Sequence, residues 1–236
     1  SPSIPSLFQF NSILFPMSEK KSSYEIPPYH RLSFSVESDV FVKIKLSSGK
    51  AELFGTEMLM GKEYILKGFF QTMIYSWHGA KVAITGETRT AAVRDTRTHM
   101  GSIMNIHEDL QQRRLNPRIS SGTDLALGPR VLICGESNTG KTSIARILAS
   151  YATRMKHDII FADLDIEGGL LSMPTSIAAT EISLPVSIET DLQYSPTPIM
   201  YFVGNTTITK DEGNVYERGI DKLSESVNNK LLQSTR

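Results

Sequence analysis

The chain has 236 residues, with 25 Lys+Arg against 25 Asp+Glu, one cysteine, 40% hydrophobic and 21% charged residues. That length buries a proper core as one large or two modest domains. Balanced charge excludes a strongly basic nucleic-acid coat protein and a strongly acidic tail, and a single Cys excludes a disulfide scaffold or Cys-rich zinc module and fits a reducing compartment. No apolar run approaches the roughly 20 residues that cross a bilayer, so no membrane partner is expected.

Residues 1–16 mix Ser, Pro and large apolar side chains without period or charge, and Gln9, Asn11 and Pro5 interrupt any signal-peptide core. Met17 opens an ordinary initiating segment. The expectation is a start at Met17, with residues 1–31 as leader or tail.

Short β-prone runs then recur at residues 40–46, 50–54, 62–66, 72–76 and 81–85. In the first, Val40, Val42, Ile44 and Leu46 share one face while Phe41, Lys43 and Lys45 share the other, the period of a half-buried strand. Even spacing with glycine turns predicts a small all-β, sandwich-like domain over 32–95. Trp77 and His78 read as packing residues. Residues 96–114 read as a helix, with Ile103, Ile106, His107 and Leu110 on one stripe and Arg113 and Arg114 near its negative end. Asn116-Pro117 stops it.

The chemistry begins after Arg130. Residues 131–134 form a short apolar run, expected as a buried parallel strand with Cys134 as inert packing. It enters Gly135-Glu136-Ser137-Asn138-Thr139-Gly140-Lys141-Thr142, which fits G-x-x-x-x-G-K-[ST]; Ser143 follows. A helical stripe of Ile144, Ile147, Leu148, Tyr151, Ala152 and Met155 comes next. Glycines let the backbone wrap a phosphate with its N–H groups pointing inward. Lys141 reaches β- and γ-phosphate oxygens, and the Thr142 hydroxyl suits Mg²⁺. A strand–loop–helix context makes nucleotide binding the reading. A second strand at 158–162 leads to Asp163 and Asp165, either of which could hold metal or act as base at a strand's carboxyl end; Glu167 adds a third carboxylate. The domain over 96–236 is therefore expected to be an α/β P-loop NTPase domain with a parallel sheet. A domain of that kind needs about five strands, and the chain offers about three after Pro129, so it reads as the N-terminal part of a longer protein. The five histidines show no metal-ligand spacing, so no structural metal is expected.

Ala51-Glu-Leu-Phe-Gly-Thr-Glu57, Ser76-Trp-His-Gly79, the helix from Asn105 to Arg114, Gly128-Pro-Arg, the P-loop, Asp163-Leu-Asp165, Ser172-Met-Pro174 and the segment at 198–202 follow one another as in a known family. Over roughly 32–230 the chain resembles the polyribonucleotide 5′-hydroxyl kinases, and more closely the branch serving as ATP-binding subunit of the nuclear pre-mRNA cleavage and polyadenylation factor. The resemblance implies ATP and Mg²⁺ as cofactors, an RNA 5′ end as substrate, other subunits of the 3′-end-processing complex as partners, and a nuclear location. Lys141 would hold phosphates, Thr142 and Asp165 Mg²⁺, and Asp165 rather than Asp163 would activate the attacking hydroxyl. Glu37 is the nearest match to an adenine-contacting glutamate of the first domain. Thr206, Thr207 and Asn214 match a loop clasping the substrate end, here with an acidic insert around 209–213.

One departure divides the reading. The active kinases follow their aspartate with Gly-Gln, whereas this chain reads Asp165-Ile-Glu167-Gly168-Gly169. A new carboxylate near phosphates repels them unless a metal intervenes. Two functions follow: an RNA 5′-hydroxyl kinase, or an ATP-holding scaffold subunit of the same complex without turnover. No Asn-Lys-x-Asp string points to guanine.

Overall fold

A computed structural model describes residues 20–37, 40–67, 71–115, 128–189, 192, 197–208 and 213–234. Met17 and the rest of residues 1–19 lie outside the described residues.

The alternation read in the sequence builds a β-sandwich. Strands β1 (Lys21–Ile26), β2 (His30–Ser35) and β3 (Phe41–Gly49) open it, followed by β4 (Glu52–Leu53) and β5 (Thr56–Glu57). β6 (Glu63–Lys67), β7 (Gln71–Ser76), β8 (Ala80–Thr85) and β9 (Thr90–Asp95) complete it. One sheet runs β1-β8-β3-β6 and the other β5-β4-β7-β2-β9; among the described residues all strand pairs are antiparallel, and one isolated bridge, Leu46 with Met60, is parallel. In β3, Val42, Ile44 and Leu46 are buried while Lys43 and Lys45 stay half-exposed, as the period of two requires. These side chains meet Leu32, Phe34 and Ile74 of the other sheet in one core. The sandwich begins earlier than the boundary at residue 32: β1 and the first residues of β2 lie within the span expected as leader, because Lys21–Ile26 pairs in full register with Ala80–Thr85.

Helix α1 (Arg97–Leu115) follows β9 directly and packs Met100, Ile103 and Leu110 into that core. Helix α2 (Lys141–Arg154) joins the same cluster through Ile147, Leu148 and Tyr151. The P-loop helix is thus joined to the sandwich's hydrophobic cluster.

The remaining strands, β10 (Ile159–Asp163), β11 (Ser176–Ile182) and β12 (Ile199–Phe202), form a sheet of order β10-β11-β12. Helix α3 (Gly213–Ser234) covers one face through Tyr216, Ile220, Leu223 and Val227. Two expectations are corrected here. The sheet is antiparallel among the described residues, since residues 164–175 between β10 and β11 contain no crossover helix, the usual link between parallel neighbours. Residues 131–134 pair with no strand among the described residues. Val131 is 50% and Leu132 79% exposed, and Cys134 is exposed rather than packed.

The turn joining β4 to β5 seats α2 closely. Gly55 holds φ +81°, and a Cβ there would stand 3.0 Å from both the Ile147 carbonyl oxygen and the Ser150 Cβ. Gly55→Ala is therefore expected to cost about 1–3 kcal/mol through strained backbone and crowding, read as a lower urea midpoint. Gly61→Ala provides the comparison: its φ is similar, +76°, with nothing within 4 Å, so its loss should be the smaller.

Candidate nucleotide site

The loop's geometry is that of an anion cradle. Gly135, Asn138 and Gly140 take φ values of 154°, 62° and 87°, turning the chain so that it ends at the first turn of α2. Gly140 is the N-cap and supplies no side-chain acceptor, so the helix's first N–H groups are left to a ligand or water. The Thr139 hydroxyl and the Lys141 ammonium both donate to the Glu136 carbonyl oxygen, at 2.8 and 2.7 Å, folding the lysine over the loop. Glu136, Ser137, Asn138, Thr139 and Thr142 are exposed, and Lys141 and Ser143 half-exposed. Phosphate oxygens fit this donor set: backbone N–H groups, one ammonium and hydroxyls. Thr142, beside Lys141 in that turn, is the hydroxyl suited to Mg²⁺.

The two aspartates separate by role. Asp163, at the end of β10, accepts the Asp165 N–H on Oδ1 at 3.1 Å, and the Leu170 and Leu171 N–H groups on Oδ2 at 2.8 and 3.4 Å. It is the organiser of the turn. Asp165 is exposed and accepts only the Glu167 N–H, on Oδ1 at 3.0 Å, so Oδ2 meets no donor among the described residues. A Cβ at position 168 would stand 3.1 Å from that Oδ2, so Gly168 leaves the carboxylate room that a side chain would take. Asp163→Ala should cost about 1–2 kcal/mol, because three backbone N–H groups, two of them on half-buried leucines, lose their acceptor, while Asp165→Ala should leave the urea midpoint nearly unchanged.

Tyr216 brings α3 to the same turn, its hydroxyl donating to the Leu164 carbonyl oxygen at 3.0 Å. Burial, then the charges of Asp165 and Asp163, push its phenol up. Asn214 lies on the first turn of α3, two residues before Tyr216. Thr206 and Thr207 stand exposed in the bend after β12. Glu37 is exposed, two residues beyond the end of β2.

Sequence reasoning missed what fastens the loop's helix. Glu52, 6% exposed on β4, accepts the Tyr151 hydroxyl on Oε1 and the Arg154 guanidinium on Oε2 at 3.2 Å. Arg154 also donates to the Gly55 carbonyl oxygen at 3.0 Å and stands 3.6 Å from Glu57. Arg146 stacks 3.9 Å over the Phe54 ring, and the Thr56 hydroxyl donates to the Val186 carbonyl oxygen at 2.7 Å. Burial raises the Glu52 pKa despite the Tyr151 bond and the Arg154 charge, and burial followed by the Glu52 charge raises that of Tyr151. The Ala51–Glu57 string is the seat of α2.

A β-sandwich seating the helix of a phosphate-binding loop defines a two-module P-loop nucleotide-binding protein. The N-terminal β-sandwich domain of polyadenylation factor matches residues 25–116, and the P-loop of the mRNA cleavage and polyadenylation factor CLP1 matches residues 135–236. Both are domain models of the polyadenylation factor CLP1, and the chain belongs to that family. It is 32% identical to the polyribonucleotide 5′-hydroxyl-kinase Clp1 of Gallus gallus, over 80% of this chain and 44% of that protein. It is 31% identical to the mRNA cleavage and polyadenylation factor clp1 of Aspergillus niger, over 90% of this chain and 44% of that protein. Its fold matches Clp1p in the solved Clp1p–Pcf11p (454–563) complex with TM-score 0.75 and 26% identity, covering 92% of this chain and 51% of that one. A second Clp1p structure, concerned with the Pcf11p interface and with ATP loss in a point mutant, matches with TM-score 0.74 and 27% identity, covering 91% and 52%. The chain thus spans about half the length of the relatives it matches.

Proposed function

We propose that this chain is the ATP-binding part of a nuclear pre-mRNA 3′-end cleavage and polyadenylation subunit of the RNA 5′-hydroxyl kinase type. ATP binds through the loop from Gly135 to Ser143. Lys141 holds the β- and γ-phosphate oxygens, with Thr142 and Asp165 holding Mg²⁺, which supplies charge neutralisation when bound. Asp165 orients and deprotonates the RNA 5′-hydroxyl, and the stretch through Thr206 and Thr207 to Asn214 receives the RNA end. The observation that supports this best is the division of labour between the aspartates. Asp163 spends both oxygens on the backbone, while Asp165 keeps one oxygen free at the carboxyl end of β10. Phosphoryl transfer asks the protein mainly for positioning plus one such carboxylate. The partners proposed are the other subunits of the processing complex, one of which, Pcf11p, is the partner of the matched Clp1p.

A second reading, an ATP-holding scaffold without turnover, is favoured by Glu167, whose exposed carboxylate lies two residues from Asp165. Transfer of labelled γ-phosphate to a 5′-hydroxyl oligoribonucleotide by the full-length protein decides between them. Asp165→Asn should abolish transfer while ATP binding persists if the kinase reading holds. ATP retained without any transfer by the unaltered protein selects the scaffold.

A further inference from the structure

Arg31 and Arg94 are direct cross-strand partners in the β2–β9 ladder, so both side chains stand on the outer face of the β5-β4-β7-β2-β9 sheet. Like charges placed opposite each other destabilise a sheet unless something lies between them. Nothing among the described residues does. The Arg31 Nε is buried with no acceptor, and its NH1 meets only the Met73 sulfur, at 3.8 Å, a weak acceptor. Arg94 is exposed and makes no ion pair or hydrogen bond among the described residues. The carboxylate in the same row, Glu52, reached across Tyr75, is already engaged by Tyr151 and Arg154. Asp95 accepts the Arg97 N–H at 2.8 Å and, next to Arg94 in the strand, points to the opposite face. Ser33, two residues along β2 from Arg31, shares the arginines' face and is paired with Ala92.

The geometry points to Arg31 and Arg94 as a phosphate-receiving site on the sandwich, with Ser33 as a neutral donor beside it. Two guanidinium forks match a tetrahedral dianion in both charge and donor geometry, whereas a single carboxylate leaves one positive charge over. This site is separate from the P-loop and does not depend on the nucleotide reading. Free phosphate presents that dianion at one point, and the backbone of a bound RNA presents the same two charges on adjacent monoanionic phosphates.

The test titrates inorganic phosphate, and separately a short oligouridylate, into the 236-residue chain carrying Lys141→Ala, followed by calorimetry. The same titrations are made after adding Arg94→Gln, Arg31→Gln, or both. Affinity for at least one ligand should fall tenfold or more with Arg94→Gln alone, a surface change that leaves the fold intact. Loss for the oligonucleotide only assigns the site to an RNA backbone; loss for inorganic phosphate assigns it to free phosphate groups. Equal affinity with and without both arginines overturns the proposal. So does arginine-dependent binding of polyglutamate with none of either phosphate ligand. Because Lys141 is absent throughout, failure here is distinguishable from failure of the P-loop reading, which rests on ATP binding by the unaltered chain.

Discussion

Lys141→Ala is expected to weaken Mg-ATP binding about 10- to 100-fold, measured by isothermal titration on the chain. A hydrogen bond to a charged group is worth about 1.5–3 kcal/mol, and each 1.4 kcal/mol is tenfold. The lysine is already folded over the loop through the Glu136 carbonyl oxygen at 2.7 Å, so under the proposed function its ammonium waits beside the phosphate oxygens. Lys141→Arg should not restore affinity, because the planar fork does not reproduce a compact, rotatable ammonium in a loop wrapped this closely. The fold should be indifferent to either change, since Lys141 contributes nothing to a core cluster. Unchanged ATP affinity in the alanine variant would remove the loop from the proposed function.

The second large effect falls far from the phosphates. Glu52→Ala should destabilise the chain by about 2–4 kcal/mol in urea unfolding. Breaking a buried ion pair costs about 3–5 kcal/mol, and the figure is reduced here because the Arg154 side chain is 37% exposed. The Tyr151 hydroxyl, on a buried ring, loses its acceptor at the same time. Glu57→Ala is the control: its carboxylate is 55% exposed at 3.6 Å from Arg154, and should cost less than about 1 kcal/mol. The pH dependence has a definite sign. Burial raises the Glu52 pKa above 4.5, so the folded chain binds this proton more tightly than the unfolded chain. Its contribution to stability is therefore greatest at low pH and declines as pH rises from 4.5 through the folded value. The stability difference between the unaltered chain and Glu52→Gln should shrink across that window; a difference that grows with pH would contradict the assignment.

These effects mark where local sequence is informative. The phosphate loop was legible because its chemistry is local: glycines at the turns, Lys141 and Thr142 on the first helical turn, and an apolar stripe after them. The strands were legible from alternation, as Val42, Ile44 and Leu46 show. β1 escaped notice because Lys21–Ile26 reads as polar except at its end and becomes a strand only by pairing with β8. The division between Asp163 and Asp165 was also invisible, since both follow a strand and only the backbone path of residues 164–171 decides which one is consumed. Glu52 carried no local signal beyond a charged residue in a short β-prone run. Tyr151 was counted among apolar positions; its hydroxyl acquires meaning only opposite a buried carboxylate.

The sequence by itself determined a nucleotide-binding loop behind an all-β module, because each depends on residues within a few positions of one another: backbone turns, side-chain period, and the ammonium and hydroxyl that phosphate needs. The tertiary structure alone decided that the β4–β5 hairpin is the seat of the P-loop helix. It alone left residues 131–134 outside any ladder among the described residues, ran the β10–β12 sheet antiparallel, and set Arg31 against Arg94. Those outcomes rest on contacts between residues tens of positions apart, such as Glu52 with Arg154, where burial turns an ordinary surface charge into a coupling between two modules.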